Sequence, residues 1–530
     1  MQRVGVENVG NGTGAARLGC PPGVGRGEAE HRRVPAAALP PLRALERDPP
    51  PYRERVTREH KRSVHGLART SFSNAHRSSP SRPLPERGRC EPKRAEGAAE
   101  GAPRRGHAWA LVAALPLALA LSFSSIAAQV AHLPAGTGLG EGSRQPGDAP
   151  LAIPQAAPRL RASANGQPWS VRFARSVMRR NPQTHRRWDY TQGVVLGAIE
   201  RVAITRRDPA MLAYVNANMT RWITAEGDIL GYQLDDYNID EVSQGRLLFG
   251  MLDRTRDERY RYAADMLREQ LQKQPRTAEG GFWHKKIYPQ QMWLDGLFMG
   301  EPFYAEYARR YNQPAAFDDI ASQFLLVARH TRDPRTGLMY HAWDAARAQP
   351  WADTATGLSP NFWGRAMGWY VVGLVETLDH FPASHPQRPA LIQALRQAVD
   401  AIARVQDPVT GLWWNVLDQP NRAGNYLEGS ASSMFAYALA KAARLGYVDA
   451  RYRQVGERGF GGLLSNLVRE NADGTVSLVN IVQVSGLGGN RRGDGSYRDG
   501  SYAYYASEPV VMDDYKGVGP FILAALELGR

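Results

Sequence analysis

The sequence predicts an all-α body, a closed or solenoidal array of helix pairs forming one domain over residues 166–530. Three observations carry this. Apolar residues recur with the helical period through most of that stretch: Tyr190, Val194, Val195, Ala198, Ile199 and Val202 fall on one stripe, and Leu391, Leu395, Ala398, Ile402 and Val405 on another. Strand-like alternation is confined to short pieces such as Val476 to Ile481. Finally, Asp333-Pro-Arg-Thr-Gly-Leu-Met-Tyr is echoed by Asp407-Pro-Val-Thr-Gly-Leu-Trp-Trp, with Gly280-Gly281-Phe282-Trp283 a shorter relative. Each lies between helical stretches, as equivalent turns at one end of successive helical hairpins would.

The segments ahead of this body differ in kind. Residues 1–105 are rich in Pro, Arg, Gly and Ala without sustained apolar periodicity, and read as a disordered basic extension. Residues 1–107 hold 21 Lys and Arg against 11 Asp and Glu, whereas the remainder holds 45 against 41, so most of the net charge of +14 lies outside the predicted body. The basic balance is therefore no sign of nucleic-acid binding. Residues 106–128 follow Arg104-Arg105 with the apolar run Ala108 to Ala120 and small residues at Ser125-Ile126-Ala127-Ala128, the pattern of a secretory signal peptide. The run is short for a membrane span, so no stable membrane association is expected after processing, and the location is periplasmic or secreted. A signal placed so late implies a translation start assigned too far upstream. Residues 129–165, rich in Pro, Gly and Ala, read as a linker.

Helices are expected around the two stripes above, through Leu247, Leu248 and Met251, through Met367, Tyr370, Val371, Leu374 and Leu378, and from Met434 to Leu445 with Gly446 closing the last. The glycine-rich stretch 486–495 lacks the Lys-Ser/Thr of a phosphate loop and reads as a flexible surface loop. Both cysteines, Cys20 and Cys90, precede the signal, which excludes disulfides and cysteine metal sites from the body. With no HExxH, phosphate-loop or dinucleotide motif there, no metal and no cofactor are expected.

The chemistry gathers at aromatic, polar turns: Gly281 to Lys286, Met339 to Asp344, Asn361 to Arg365 and Trp413-Trp414-Asn415. Flat rings beside hydrogen-bonding groups suit sugars, and core packing is the competing explanation for each ring. Asp295 is the one charge in Met292-Trp-Leu-Asp-Gly-Leu-Phe-Met299, where desolvation would suit it to donate a proton; a helix cap before Gly296 is the alternative. Asp235-Asp236-Tyr-Asn-Ile-Asp240-Glu241 offers a second acid, or an N-cap at Asp240.

At these residues the chain resembles the unsaturated rhamnogalacturonyl hydrolases of glycoside hydrolase family 105. The matching segments include Trp188-Asp-Tyr-Thr-Gln-Gly193, Tyr237-Asn-Ile-Asp240, Gly280-Gly-Phe-Trp-His-Lys285, Gln291-Met-Trp-Leu-Asp-Gly296, His341, Trp363-Gly-Arg-Ala-Met-Gly-Trp369 and Lys516-Gly-Val-Gly519. The resemblance covers residues 170–530 and implies an (α/α)6 barrel of six helical hairpins. It implies a glycosidase of pectin breakdown whose substrate is an oligosaccharide ending in a 4,5-unsaturated uronic acid left by a lyase. Asp295 takes the place of the catalytic acid/base and Asp240 that of the second acid. His284, His341 and Arg365 match positions around the sugar, with Arg365 apt for the uronate carboxylate, while Trp293 and Trp369 are candidates for ring contacts and Tyr190 for the pocket lining. An unsaturated glucuronyl hydrolase acting on glycosaminoglycan fragments is the alternative enzyme, and a non-catalytic carbohydrate-binding protein a third reading. Protein partners are not indicated.

Overall fold

The structure, a computed structural model, describes residues 155–163, 166–184, 187–491 and 494–530. The predicted basic extension, the signal segment and most of the linker lie outside the described residues. Twelve of the helices form six pairs in chain order: α1 (Trp169–Arg180) with α2 (Tyr190–Arg206), α3 (Pro209–Thr220) with α4 (Arg246–Thr255), and α5 (Arg259–Lys273) with α6 (Leu294–Arg310). Next come α7 (Ala316–Thr331) with α8 (Gly364–Thr377), α9 (Arg388–Arg404) with α10 (Gly429–Arg444), and α11 (Arg451–Gly462), which reaches α13 (Tyr515–Glu527) through the short α12 (Tyr502–Ser507). The second members touch in sequence, α2 to α4, α6, α8, α10 and α13, and α13 returns to α2. That closed ring inside an outer ring of first members is the (α/α)6 barrel.

Sequence pattern decides which ring a helix joins. Every residue of α8 is buried, as in a helix apolar on all sides. In α9 only the stripe of Leu391, Ala394, Leu395, Ala398, Val399, Ala401 and Ile402 is buried, which leaves its other face to solvent. The stripe beginning at Tyr190 belongs to inner helix α2, and Gly446 follows the end of α10 at φ 72°, as its place in the sequence predicts.

The repeated motif is a repeated turn. Asp333 N–H donates to the Leu338 carbonyl and Gly337 N–H to that of Asp333, both at 2.8 Å, while Asp407 pairs likewise with Leu412 and Gly411 at 2.8 and 2.9 Å. Short glycine turns also follow α3, α5 and α11, at residues 224–228, 277–281 and 471–475. All link an outer helix to the start of an inner one and so stand at one rim. There β1 (Gln291–Trp293) pairs antiparallel with β2 (Ala342–Asp344), Met292 opposite Trp343. Two more small ribbons, β3 (Val468–Glu470) with β4 (Val476–Leu478) and β5 (Ile481–Val482) with β6 (Val510–Val511), account for the strand-like alternation in the sequence.

Two expectations need correction. The glycine-rich stretch is not simply a surface loop: Leu487 is fully buried and packs in a cluster with Trp293 and Trp351, because one large apolar side chain among small residues can seat deeply. Part of the expected linker is docked, since Ala156 and Asn466 exchange hydrogen bonds of 2.6 and 2.9 Å and the Arg161 carbonyl accepts from Trp169 Nε1 at 2.9 Å.

Candidate active site

Inner helices start at the turn-bearing rim, so residues that open them converge there. Asp295 lies in the first turn of α6 and is not its cap, a position held by Trp293 without a side-chain bond. Pairing of β1 with β2 continues through Leu294 N–H to the His341 carbonyl at 3.1 Å, which brings His341 beside α6. His341 Nε2 then stands 3.2 Å from Asp295 Oδ2, while His341 Nδ1 shares a 2.9 Å hydrogen bond with the Tyr505 hydroxyl. His341 is fully buried, whereas the Asp295 side chain keeps 16% of its surface open although its neighbours Leu294, Gly296 and Leu297 are buried. No Lys or Arg approaches Asp295 within ion-pair distance among the described residues.

The second acid is held otherwise. Asn238 caps the 3₁₀ turn Ile239–Gly245 that leads into α4, accepting from Asp240 N–H at 3.2 Å, so Asp240 is free of the capping role. Asp235 and Asp236 face solvent, and Asp240 turns inward. Its Oδ2 meets Lys285 Nζ at 2.5 Å and its Oδ1 lies 3.3 Å from His284 Nε2. Burial alone would raise the Asp240 pKa, but Lys285 and His284 outweigh it and hold the carboxyl well below the usual range, as a fixed carboxylate. Lys285 in turn stays charged, the pull of Asp240 outweighing its burial.

One indole joins the two pairs. Trp293 stacks on His284 with centroids 4.9 Å apart and planes 5° apart, and meets His341 edge-on at 5.3 Å. Tyr288 lies parallel to the same ring at 4.9 Å. With 6% of its surface exposed and Nε1 bonded to Gln291 at 3.1 Å, Trp293 orients histidines and offers little platform for a sugar. Trp369 is a second-layer residue, 1% exposed against Phe298 and Tyr190. Tyr190 is half-buried at the start of α2, and burial together with the nearby Asp240 pushes its phenol well up despite Arg365, so it stays a hydrogen-bond donor.

Arg365 differs from the role implied by resemblance. It is 1% exposed, donates to the carbonyls of Val482 and of Gln483 (3.1 Å to the latter) and to Ser430 Oγ at 3.4 Å, and lies over Trp363. Its terminal nitrogens are occupied by the segment that bears β5, which makes it an architectural arginine rather than an open clamp for a carboxylate. Lys285 and Tyr505 belong to the site but were not among the candidates. Lys285 was legible beside His284, whereas Tyr505 stands 164 residues from His341 with no local signal.

The match to the glycosyl hydrolase family 88 model runs over residues 169–530, the whole barrel. The chain belongs to that family. A family 88 membership makes it a glycoside hydrolase, and the likeness to family 105 is supported by a solved glycoside hydrolase from family 105 of C. acetobutylicum. That structure is 43% identical, with TM-score 0.66, and the match covers 68% of this chain and 99% of that one. The unsaturated rhamnogalacturonyl hydrolase YesR of Bacillus subtilis is 32% identical over 276 residues, 51% of this chain and 75% of its own length. Protein Atu3128 of Agrobacterium fabrum is 41% identical over 233 residues, 43% of this family 88 chain and 97% of the relative.

Proposed function

We infer that the chain hydrolyses unsaturated uronyl residues, and that its substrate is a lyase-made rhamnogalacturonan oligosaccharide with a 4,5-unsaturated uronic acid at the non-reducing end. Family membership and the likeness to YesR support the substrate class. The observation that carries the mechanism is the inequality of the two aspartates: Asp240 is paired with Lys285, while Asp295 has no lysine or arginine within ion-pair distance among the described residues and is assigned the proton transfers. In the proposed reaction Asp295 protonates C4 of the vinyl ether, leaving an oxocarbenium-like charge at C5. Water bonds to C5 and gives its proton back to the Asp295 carboxylate. The hemiketal opens, and the hemiacetal so exposed at C1 expels the aglycone. One acid serves both transfers, and the two-carboxylate scheme of ordinary glycosidases is not needed.

The deciding experiment follows loss of the ultraviolet band of the C4=C5 bond on lyase-made rhamnogalacturonan and chondroitin disaccharides side by side. The expected result is faster loss with the rhamnogalacturonan product. Preference for chondroitin would move the enzyme to the glucuronyl hydrolase reading. Export to the periplasm or medium is proposed from the segment ending at Ala128.

A further inference from the structure

His284 faces Asp240 with Nε2, and its ring also lines a small cavity bounded by Trp293, Gly296, Glu301 and Gln323, with apolar side chains making up the rest of the wall. The free space is about 10 Å³, close to the least that holds one water. Most polar groups around it are satisfied. Gln323 donates to the Gly280 carbonyl and to Asp319 and accepts from Phe282 N–H, and Trp293 Nε1 is bonded to Gln291. Two are not: His284 Nδ1 and Glu301 Oε2 find no partner among the described residues, although His284 is 3% and Glu301 2% exposed. Buried polar atoms of this kind are normally bridged by water when a cavity admits one. Gly296 leaves the way open, since a Cβ there would stand 3.1 Å from His284 Nδ1.

We propose that Glu301 is a positioning residue of the active site: through one water in this cavity it hydrogen-bonds His284 Nδ1 and so fixes the ring proton on Nε2, where it faces Asp240. The surroundings keep Glu301 an acid that donates. The charged groups facing it are Asp319, Arg276 and Arg268. Arg276 is committed to Asp319 through two bonds of 2.7 Å, and Arg268 donates to Gln313 and Tyr304. Burial and Asp319 push the Glu301 carboxyl well up, with the two arginines too weak to reverse this. The acid O–H then donates to the water and the water to Nδ1. With Nδ1 accepting, the ring N–H of His284 lies on Nε2, toward Asp240. A partner behind a functional histidine commonly sets its tautomer in this way.

The inference rests on Asp240 being the second acid of the unsaturated-uronyl site, and its test separates the two. The full-length chain is labelled with ¹⁵N-histidine, His284 is assigned by the loss of its signals in His284→Gln, and side-chain spectra at pH 7 are compared for wild type, Glu301→Gln and Glu301→Leu. Wild type and Glu301→Gln are expected to show His284 protonated at Nε2 and bare at Nδ1, and Glu301→Leu to lose the single tautomer. On the rhamnogalacturonan disaccharide, Glu301→Leu should lower kcat about tenfold with little change in KM, within the 10–100-fold range for such supporting residues, and Glu301→Gln should recover most of that loss. A protonated Nδ1 in the wild type, an unchanged Glu301→Leu spectrum, or Glu301→Gln as impaired as Glu301→Leu would overturn the inference. Should no lyase product be turned over at all, the substrate reading fails and the His284 spectra still decide this one.

Discussion

At the scale of single residues, function turns on neighbours more than on residue type. Asp240 and Asp295 are both partly open aspartates on one rim, yet a lysine 2.5 Å from one and a histidine 3.2 Å from the other give them different electrostatic surroundings. The sequence marks both acids, because each interrupts a patterned segment, but the partners that divide their roles arrive from other connections. Arg365 shows the limit of reading by residue type: a guanidinium suits a carboxylate, and three-dimensional packing spends it on carbonyls instead. Arg365→Lys should therefore lower stability by about 1.5–3 kcal/mol, the range for losing hydrogen bonds to a charged group, and leave KM for the unsaturated sugar unchanged. Thermal melting and steady-state kinetics on the same sample check this. A raised KM with unchanged melting would restore Arg365 to the substrate.

At the scale of elements, the helical period and the Asp-x-x-Thr-Gly-Leu turn were the readable features, because both depend on local geometry. The turn after α9 needs Gly411 at φ 72°, and a Cβ there would stand 2.7 Å from the Arg458 carbonyl. Gly446 shares that backbone geometry at φ 72° but has open space around it. Gly411→Ala and Gly446→Ala should both pay conformational strain of about 1–3 kcal/mol, with Gly411→Ala the more destabilising of the two through the added clash. Chemical denaturation of the pair measures the difference, and equal losses would mean that the turn at Gly411 shifts enough to relieve the clash. Tyr505 was not readable, since α12 is a single short helix set in a long connection and meets His341 only through the closed ring.

At the scale of the whole molecule, ring closure converts six sequence-distant connections into one rim. Histidines from two of them are linked there by the ring of Trp293, and the acids they face start or precede different inner helices. The uneven charge along the chain fits this division, with the barrel near neutrality and the excess of basic residues in the first 107 positions. If the segment ending at Ala128 directs export, N-terminal sequencing of the product from a secreting Gram-negative host should begin near that residue, and a membrane-bound chain that retains Cys90 would show otherwise. In the proposed reaction Asp295 alone carries the proton to and from the substrate. Its most direct test is the rate of C4=C5 absorbance loss on the lyase-made rhamnogalacturonan disaccharide with wild type and folded Asp295→Asn. A fall on the order of 10²–10⁴ with substrate binding retained is expected, and a variant keeping more than roughly a tenth of wild-type activity, far above that range, would show that another group moves the proton.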